Sequence, residues 1–258
     1  MKKTLYLNCF SGISGDMTLG VLLDLLGREE LEPFLEGLAL KNYEVSVTRS
    51  KRRGITGLDV RVTPGEDHPH RGLAEIMEII EKSSIGPGAA ARASEAFRLL
   101  ADAEAAVHGT SPEKIHFHEV GAVDSIVDIV GACILLEALD PARVVISPLN
   151  LGSGTVKCAH GEMPVPAPAT AKLLEGVPVF SLGDPMERTT PTGAALARVF
   201  ASEFGPIPPG VIVRTGYGLG NADTELANVL QGTLLEEADL EVGDAHHGRR
   251  RDGRCHRH

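Results

Sequence analysis

Aromatic side chains are scarce: they make up 4% of the 258 residues, and Trp is absent. A surface that stacks bases on rings is therefore not expected, and single-stranded nucleic acid is a poor ligand. Basic charge is also in deficit. Lys and Arg number 25 against 35 Asp and Glu, giving a net charge of −10, which repels a phosphate backbone. A local basic pocket for one small phosphate is still compatible with that balance. The four cysteines, Cys9, Cys133, Cys158 and Cys255, form no C-x-x-C pair and suggest no disulfide framework. No apolar run reaches the roughly 18 residues of a membrane span. Met1-Lys2-Lys3 leads straight into a strand-like run rather than the apolar region of a signal peptide. The expectation is a cytoplasmic protein in a reducing setting, with neither nucleic acid nor membrane as partner. A homo-oligomer is compatible with the sequence.

Apolar residues at 43% and a length of 258 allow one large core. Thr4–Cys9 reads as a strand, Met17–Leu26 as a helix stopped by Gly27, and Glu29–Leu38 as a second helix. Tyr43–Ser50 and Ile55–Thr63 alternate, so they form a hairpin with a basic tip. Leu73–Lys82, Gly86–Val107 and Val123–Leu139 have helical spacing. Val144–Ile146 and Val177–Phe180 read as strands, Leu149–Val156 as another that glycines break, and Met163–Ala169 as a proline-stiffened connection. Ala169–Leu174 is a short helix, and Thr190-Pro191 opens another over Thr192–Phe204. Val211–Gly216 and Leu226–Leu235 are closing strands. Without a sustained βαβ rhythm, the reading is α+β: a single domain, residues 1–242, with a mixed β-sheet flanked by helices. Residues 243–258 lack apolar periodicity and are rich in His and Arg, as in a disordered tail.

Chemistry concentrates in His116-Phe117-His118-Glu119 and the helix that follows. In an extended segment His116 and His118 share one side. Asp124 and Asp128, four apart, share a helix face with Gly131, which would leave room for a ligand. Two like charges at that spacing cost about 0.2–0.5 kcal/mol when exposed, and more in an apolar helix unless a cation, a basic residue or a shared proton compensates. The plainer account makes Asp124 an N-cap and pairs Asp128 with a base. Cys158 and His160 form a second candidate, because thiolate and imidazole suit nickel, zinc or copper better than magnesium. The turn Cys9–Asp16, with Ser11, Gly12, Ser14, Gly15 and Asp16, joins a strand to a helix N-terminus and suits an anion. It is neither a dinucleotide fingerprint nor a P-loop. Gly152–Thr155 offers further backbone donors. His68 and His70, and the histidines of the tail, read as solvated.

Several strings together resemble the LarC-type nickel-insertion proteins. They are Leu5–Met17, His116–Asp128, Gly152–Gly154 through Lys157–Gly161, Pro164–Thr170, Thr190–Ala195 and Gly216–Gly220. The resemblance runs from Leu5 to about Glu237. It implies nickel insertion into pyridinium-3,5-bisthiocarboxylic acid mononucleotide, forming two nickel–sulfur bonds and one nickel–carbon bond. CTP would be consumed with Mn(II) or Mg(II) assisting, in a lyase-type cyclometallase reaction whose product serves lactate racemase and related enzymes. Ni(II) is assigned to His116, His118 and Glu119, with Cys158 and His160 as transfer ligands. Asp124 or Asp128 is the base or an auxiliary ligand, and Ser11, Gly12, Ser14, Gly15 and Asp16 hold the substrate phosphate. Asn8 stands where the family's opening is expected to have Asp. Family members continue into a C-terminal part associated with CTP binding, so that part, or its separate product, is the expected partner, and the chain alone is expected to fall short of full turnover. A nickel metallochaperone or storage subunit and a metal-dependent phosphohydrolase are the alternatives.

Overall fold

The structure is a computed structural model and describes residues 3–65, 71–115, 117, 121–158 and 161–237. The expected tail, His68 and His70 lie outside the described residues.

Strand β1 (Lys3–Asn8) runs into helix α1 (Gly15–Leu26), followed by the single turn α2 (Glu32–Leu35). Strands β2 (Tyr43–Arg52) and β3 (Ile55–Pro64) form the expected hairpin. Its two-residue loop places both Arg53 (φ 48°) and Gly54 (φ 86°) in the left-handed region, which matches the twist of the flanking strands. Helices α3 (Leu73–Lys82), α4 (Pro87–His108) and α5 (Val123–Leu139) come next, with a 3-10 turn at Pro112–Lys114. The chain then passes through β4 (Arg143–Ile146), β5 (Leu149–Asn150), β6 (Thr155–Cys158), β7 (Gly161–Pro164), α6 (Pro168–Leu173) and β8 (Val179–Phe180). It ends in α7 (Pro191–Phe200), β9 (Glu203–Phe204), β10 (Gly210–Leu219) and β11 (Val229–Glu237).

Seven strands form one mixed sheet in the order β2-β3-β10-β11-β1-β4-β9. β1 pairs antiparallel with β11 and parallel with β4. The α+β reading with a mixed sheet holds. Helix α1 lies along β10, β3 and β11, with α5 beside it and α4 packed on α5. Leu5 and Leu7 of β1 face this helical layer and are fully buried, whereas Tyr6 joins Val145 and Leu235 in a small separate cluster. A Cβ on Gly218 would stand 1.8 Å from the Met17 carbonyl oxygen, so only glycine lets α1 settle this low on β10.

Four readings are corrected. Helix α2 is one turn rather than Glu29–Leu38, because Pro33 is tolerated only in a first turn and Gly37 abuts the Ser84 carbonyl. The glycine-broken strand expected over Leu149–Val156 is two separate strands: Gly152 (φ 80°) and Gly154 (φ 82°) divide it into β5, paired with β8, and β6 of the β6–β7 hairpin. Helix α7 stops at Phe200, since the Ser202 N–H donates to the Val144 carbonyl and the chain joins the sheet edge as β9. Gly131 opens no ligand space: a Cβ there would meet Leu19 at 3.0 Å, so it serves α1–α5 packing.

Candidate functional site

Three helices begin at the same place. The first residues of α1 (Gly15, Asp16), α5 (Asp124, Ser125) and α7 (Pro191, Thr192) line one cleft of about 580 Å³, together with β3 residues Val60–Thr63, Asp128, Glu187 and Asn221. Helix N-termini present free N–H groups and the positive end of the helix dipole, so their convergence favours negative charge. The floor, however, is acidic, and the cleft therefore suits a ligand set carrying both signs.

The convergence has local causes. Gly15 permits α1 to approach α5: a Cβ there would lie 2.3 Å from Asp128 Oδ2. Gly193 does the same for α7, where a Cβ would lie 2.0 Å from the Ile13 carbonyl oxygen. The Ile13 N–H donates to the Arg188 carbonyl at 3.0 Å, and the Thr190 N–H donates to the Ile13 carbonyl at 3.1 Å. Thr190 caps α7 by accepting from the Gly193 N–H at 3.1 Å.

The carboxylates differ in how they are held. Asp16 accepts from the Ser14 hydroxyl, from the Met17 N–H at 2.8 Å and from Asn221 Nδ2 at 2.9 Å. Its pKa is nevertheless raised, chiefly by desolvation. Asp124 is in the first turn of α5, behind the N-cap position of Ala122, and accepts from the Ser125 N–H at 2.8 Å. Asp128 has no hydrogen-bond partner among the described residues. Desolvation, and then the charges of Asp16 and Asp124, push its pKa well above the ordinary carboxylate range. No basic residue pairs with it among the described residues, where the plainer pairing expected for Asp128 is not seen.

The turn expected to hold phosphate divides in two. Ser14, Gly15 and Asp16 line the cleft. Ser11 is buried, and its hydroxyl accepts from Arg188 Nη1 at 2.8 Å. Gly12 (φ 91°) lies against the Arg188 backbone, where a Cβ would meet the carbonyl oxygen at 2.0 Å. Cys158 ends β6, half-buried, and is not among the residues lining the cleft. The thiol of Cys9 is pushed up to about 12 by burial, and that of Cys133 is also raised by burial, so neither offers a ready thiolate. His116, His118, Glu119 and His160 lie outside the described residues. Phe117 is buried against Phe97, with ring centroids 6.4 Å apart.

Sequence reasoning missed Arg61, Glu187, Thr192 and Asn221. Thr190–Ala195 was noticed as a motif, but nothing in it says which site it joins. Arg61 is one member of an ordinary alternating strand and gives no local signal.

The sequence pattern described as "Nickel insertion protein" matches residues 5–251. The chain belongs to the nickel insertion protein family. It is 47% identical over 242 residues to a Desulfitobacterium hafniense protein named pyridinium-3,5-bisthiocarboxylic acid mononucleotide nickel insertion protein, covering 93% of this chain and 60% of that one. A putative nickel insertion protein of Geobacter sp. is 48% identical, with 92% and 62% covered. A Staphylococcus epidermidis protein with the same name as the first is 39% identical, with 95% and 62% covered. The chain therefore spans about three-fifths of the length of these curated relatives. No solved structure matches it. No described helix is long and apolar enough to cross a membrane.

Proposed function

We propose that this chain is the nickel- and substrate-binding portion of a cyclometallase that inserts Ni(II) into pyridinium-3,5-bisthiocarboxylic acid mononucleotide, a lyase-type reaction in the cytoplasm. The observation that supports this reading is the single cleft where three helix N-termini meet Asp16, Asp124 and Asp128. The substrate is a cationic ring with an anionic phosphate, and the second substrate is a divalent metal ion. A cleft with positive helix ends over an acidic floor suits that combination.

In this reading Ni(II) is taken up by His116, His118 and Glu119, which lead directly into the Asp124 turn, with Cys158 and His160 as transfer ligands. Imidazole and thiolate suit nickel, and the carboxylates offset its charge near the mononucleotide. As the two thiocarboxylate sulfurs and the ring carbon bond to nickel, that carbon loses a proton. In this reading Asp128, whose carboxylate borders the same cleft, accepts it as general base. CTP with Mn(II) or Mg(II) belongs to the portion of the longer relatives outside the match, and that portion is the proposed partner. The chain by itself would then bind nickel and mononucleotide without completing turnover, as a metallochaperone subunit would.

The test mixes the purified chain with nickel and the mononucleotide, then follows both ligands by equilibrium dialysis. Expected is one nickel and one mononucleotide per chain, with metal retention weakened at least tenfold in His116→Ala/His118→Ala. Unchanged stoichiometry and affinity in that variant would sink the ligand assignment.

A further inference from the structure

Among the described residues lining the cleft, Asp16, Asp124, Asp128 and Glu187 are acidic and Arg61 alone is basic. Arg61 is also only partly engaged. The buried carboxylate beside it, Asp59, is already paired with Arg52, whose Nη2 donates to Oδ2 at 2.9 Å. Arg52 is fixed in turn by its Nε, which donates to the Gly220 carbonyl at 2.8 Å. Arg61 reaches the same carboxylate more loosely, Nε to Oδ1 at 3.2 Å and Nη2 to Oδ2 at 3.4 Å. Its side chain is 59% exposed. Two guanidinium groups thus share one carboxylate, leaving a net positive charge at this wall of the cleft. The wall is rigid, because β3 is paired with β2 along its whole length. Asp59 orients the guanidinium plane, and Nη1 makes no hydrogen bond among the described residues.

We propose that Arg61 is the phosphomonoester-binding residue of the cleft. The mononucleotide phosphate lies against the β3 wall, and its cationic ring points across the floor towards Asp16 and Asp128. A planar guanidinium already oriented by one carboxylate is suited to bind a phosphate oxygen at little further ordering cost. The proposal rests on the mononucleotide reading above. It gives that ligand a direction: phosphate at the β3 wall, cationic ring over the carboxylates of the floor. It also moves the phosphate contact away from Ser11 and Gly12, which are enclosed by Arg188.

The test measures binding of the full chain to the pyridinium mononucleotide and to the nucleoside made from it by phosphatase, using wild type, Arg61→Met and Arg61→Lys. Arg61→Met is expected to weaken mononucleotide binding at least tenfold and leave nucleoside binding within twofold. Arg61→Lys, which keeps the charge but loses the fork, should fall between. An unchanged melting temperature checks folding. Equal losses for both ligands, or none for either, would overturn the phosphate assignment while leaving the cleft reading in place. A wild-type chain that binds neither ligand would overturn the mononucleotide reading and this proposal together.

Discussion

The turn Cys9–Asp16 has two halves that handle polarity in opposite ways, the first buried and the second bordering the cleft. In the first half most strong polar atoms are closed into a network, with the buried Arg188 Nε left outside it. Arg188 donates to Ser11 and, at 3.0 Å, to Asp184. Asn150, fully buried, uses its side-chain amide on the carbonyls of Phe10 and Leu182 and its side-chain oxygen on the N–H groups of Gly152 and Leu182. In the second half Asp16 is held, but it faces Asp128, which has no hydrogen-bond partner among the described residues. A satisfied network fixes one arrangement of the chain, whereas an uncompensated carboxylate is a cost the folded protein bears until a cation or proton arrives. The closed half therefore reads as the frame, and the open half as the part left for ligands.

The comparison can be broken most severely on the closed side. Arg188→Met should cost about 3 kcal/mol, because it strands the Ser11 hydroxyl and the Asp184 carboxylate and loosens three chain segments at once. Chemical denaturation checks this, and a loss under 1 kcal/mol would mean the network is not the frame. Gly15→Ala comes next. Its methyl would collide with Asp128 at the α1–α5 contact, so a loss of about 1–3 kcal/mol is expected, together with weakened nickel binding.

Asp128→Asn should act in the opposite direction on stability. A carboxyl whose folded pKa is raised contributes stability below its unfolded pKa near 4 and loses it as pH rises through the folded value. At pH 7 the wild-type chain bears that loss, and the amide does not. The variant should melt higher at pH 7, show a flatter decline in stability between pH 4 and 7, and bind nickel less well. A lower melting temperature would contradict the account of Asp128 as uncompensated. Smallest of all, Cys158→Ser lies on a half-buried hairpin position and should change stability by no more than about 0.5 kcal/mol.

Much of the fold was legible because periodicity is local. The β2–β3 hairpin, α3, α4 and α5 follow from spacing, and the glycines that divide Leu149–Val156 and the proline that shortens α2 are local signals too. Part of the cleft lining was legible for the same reason: Ser14, Gly15, Asp16 and Asp124 stand at helix starts, and Asp128 one turn further on. That these starts meet was not legible, because it depends on contacts between Gly15 and Asp128 and between Gly193 and Ile13 that are remote in sequence. Arg61 was missed for a related reason. Its meaning comes from Arg52 having already taken Asp59, a fact about three side chains in space.

The central claim is that the open half of the turn and the start of α5 form one cation-handling site. A nickel titration of the intact chain, followed by calorimetry at pH 7 with and without the mononucleotide, tests it most directly when repeated on Asp16→Asn/Asp128→Asn. The account predicts stoichiometric nickel binding that tightens with mononucleotide present, and at least a tenfold loss of that tightening in the double variant. Equal affinities in the two proteins, with the same response to mononucleotide, would contradict it.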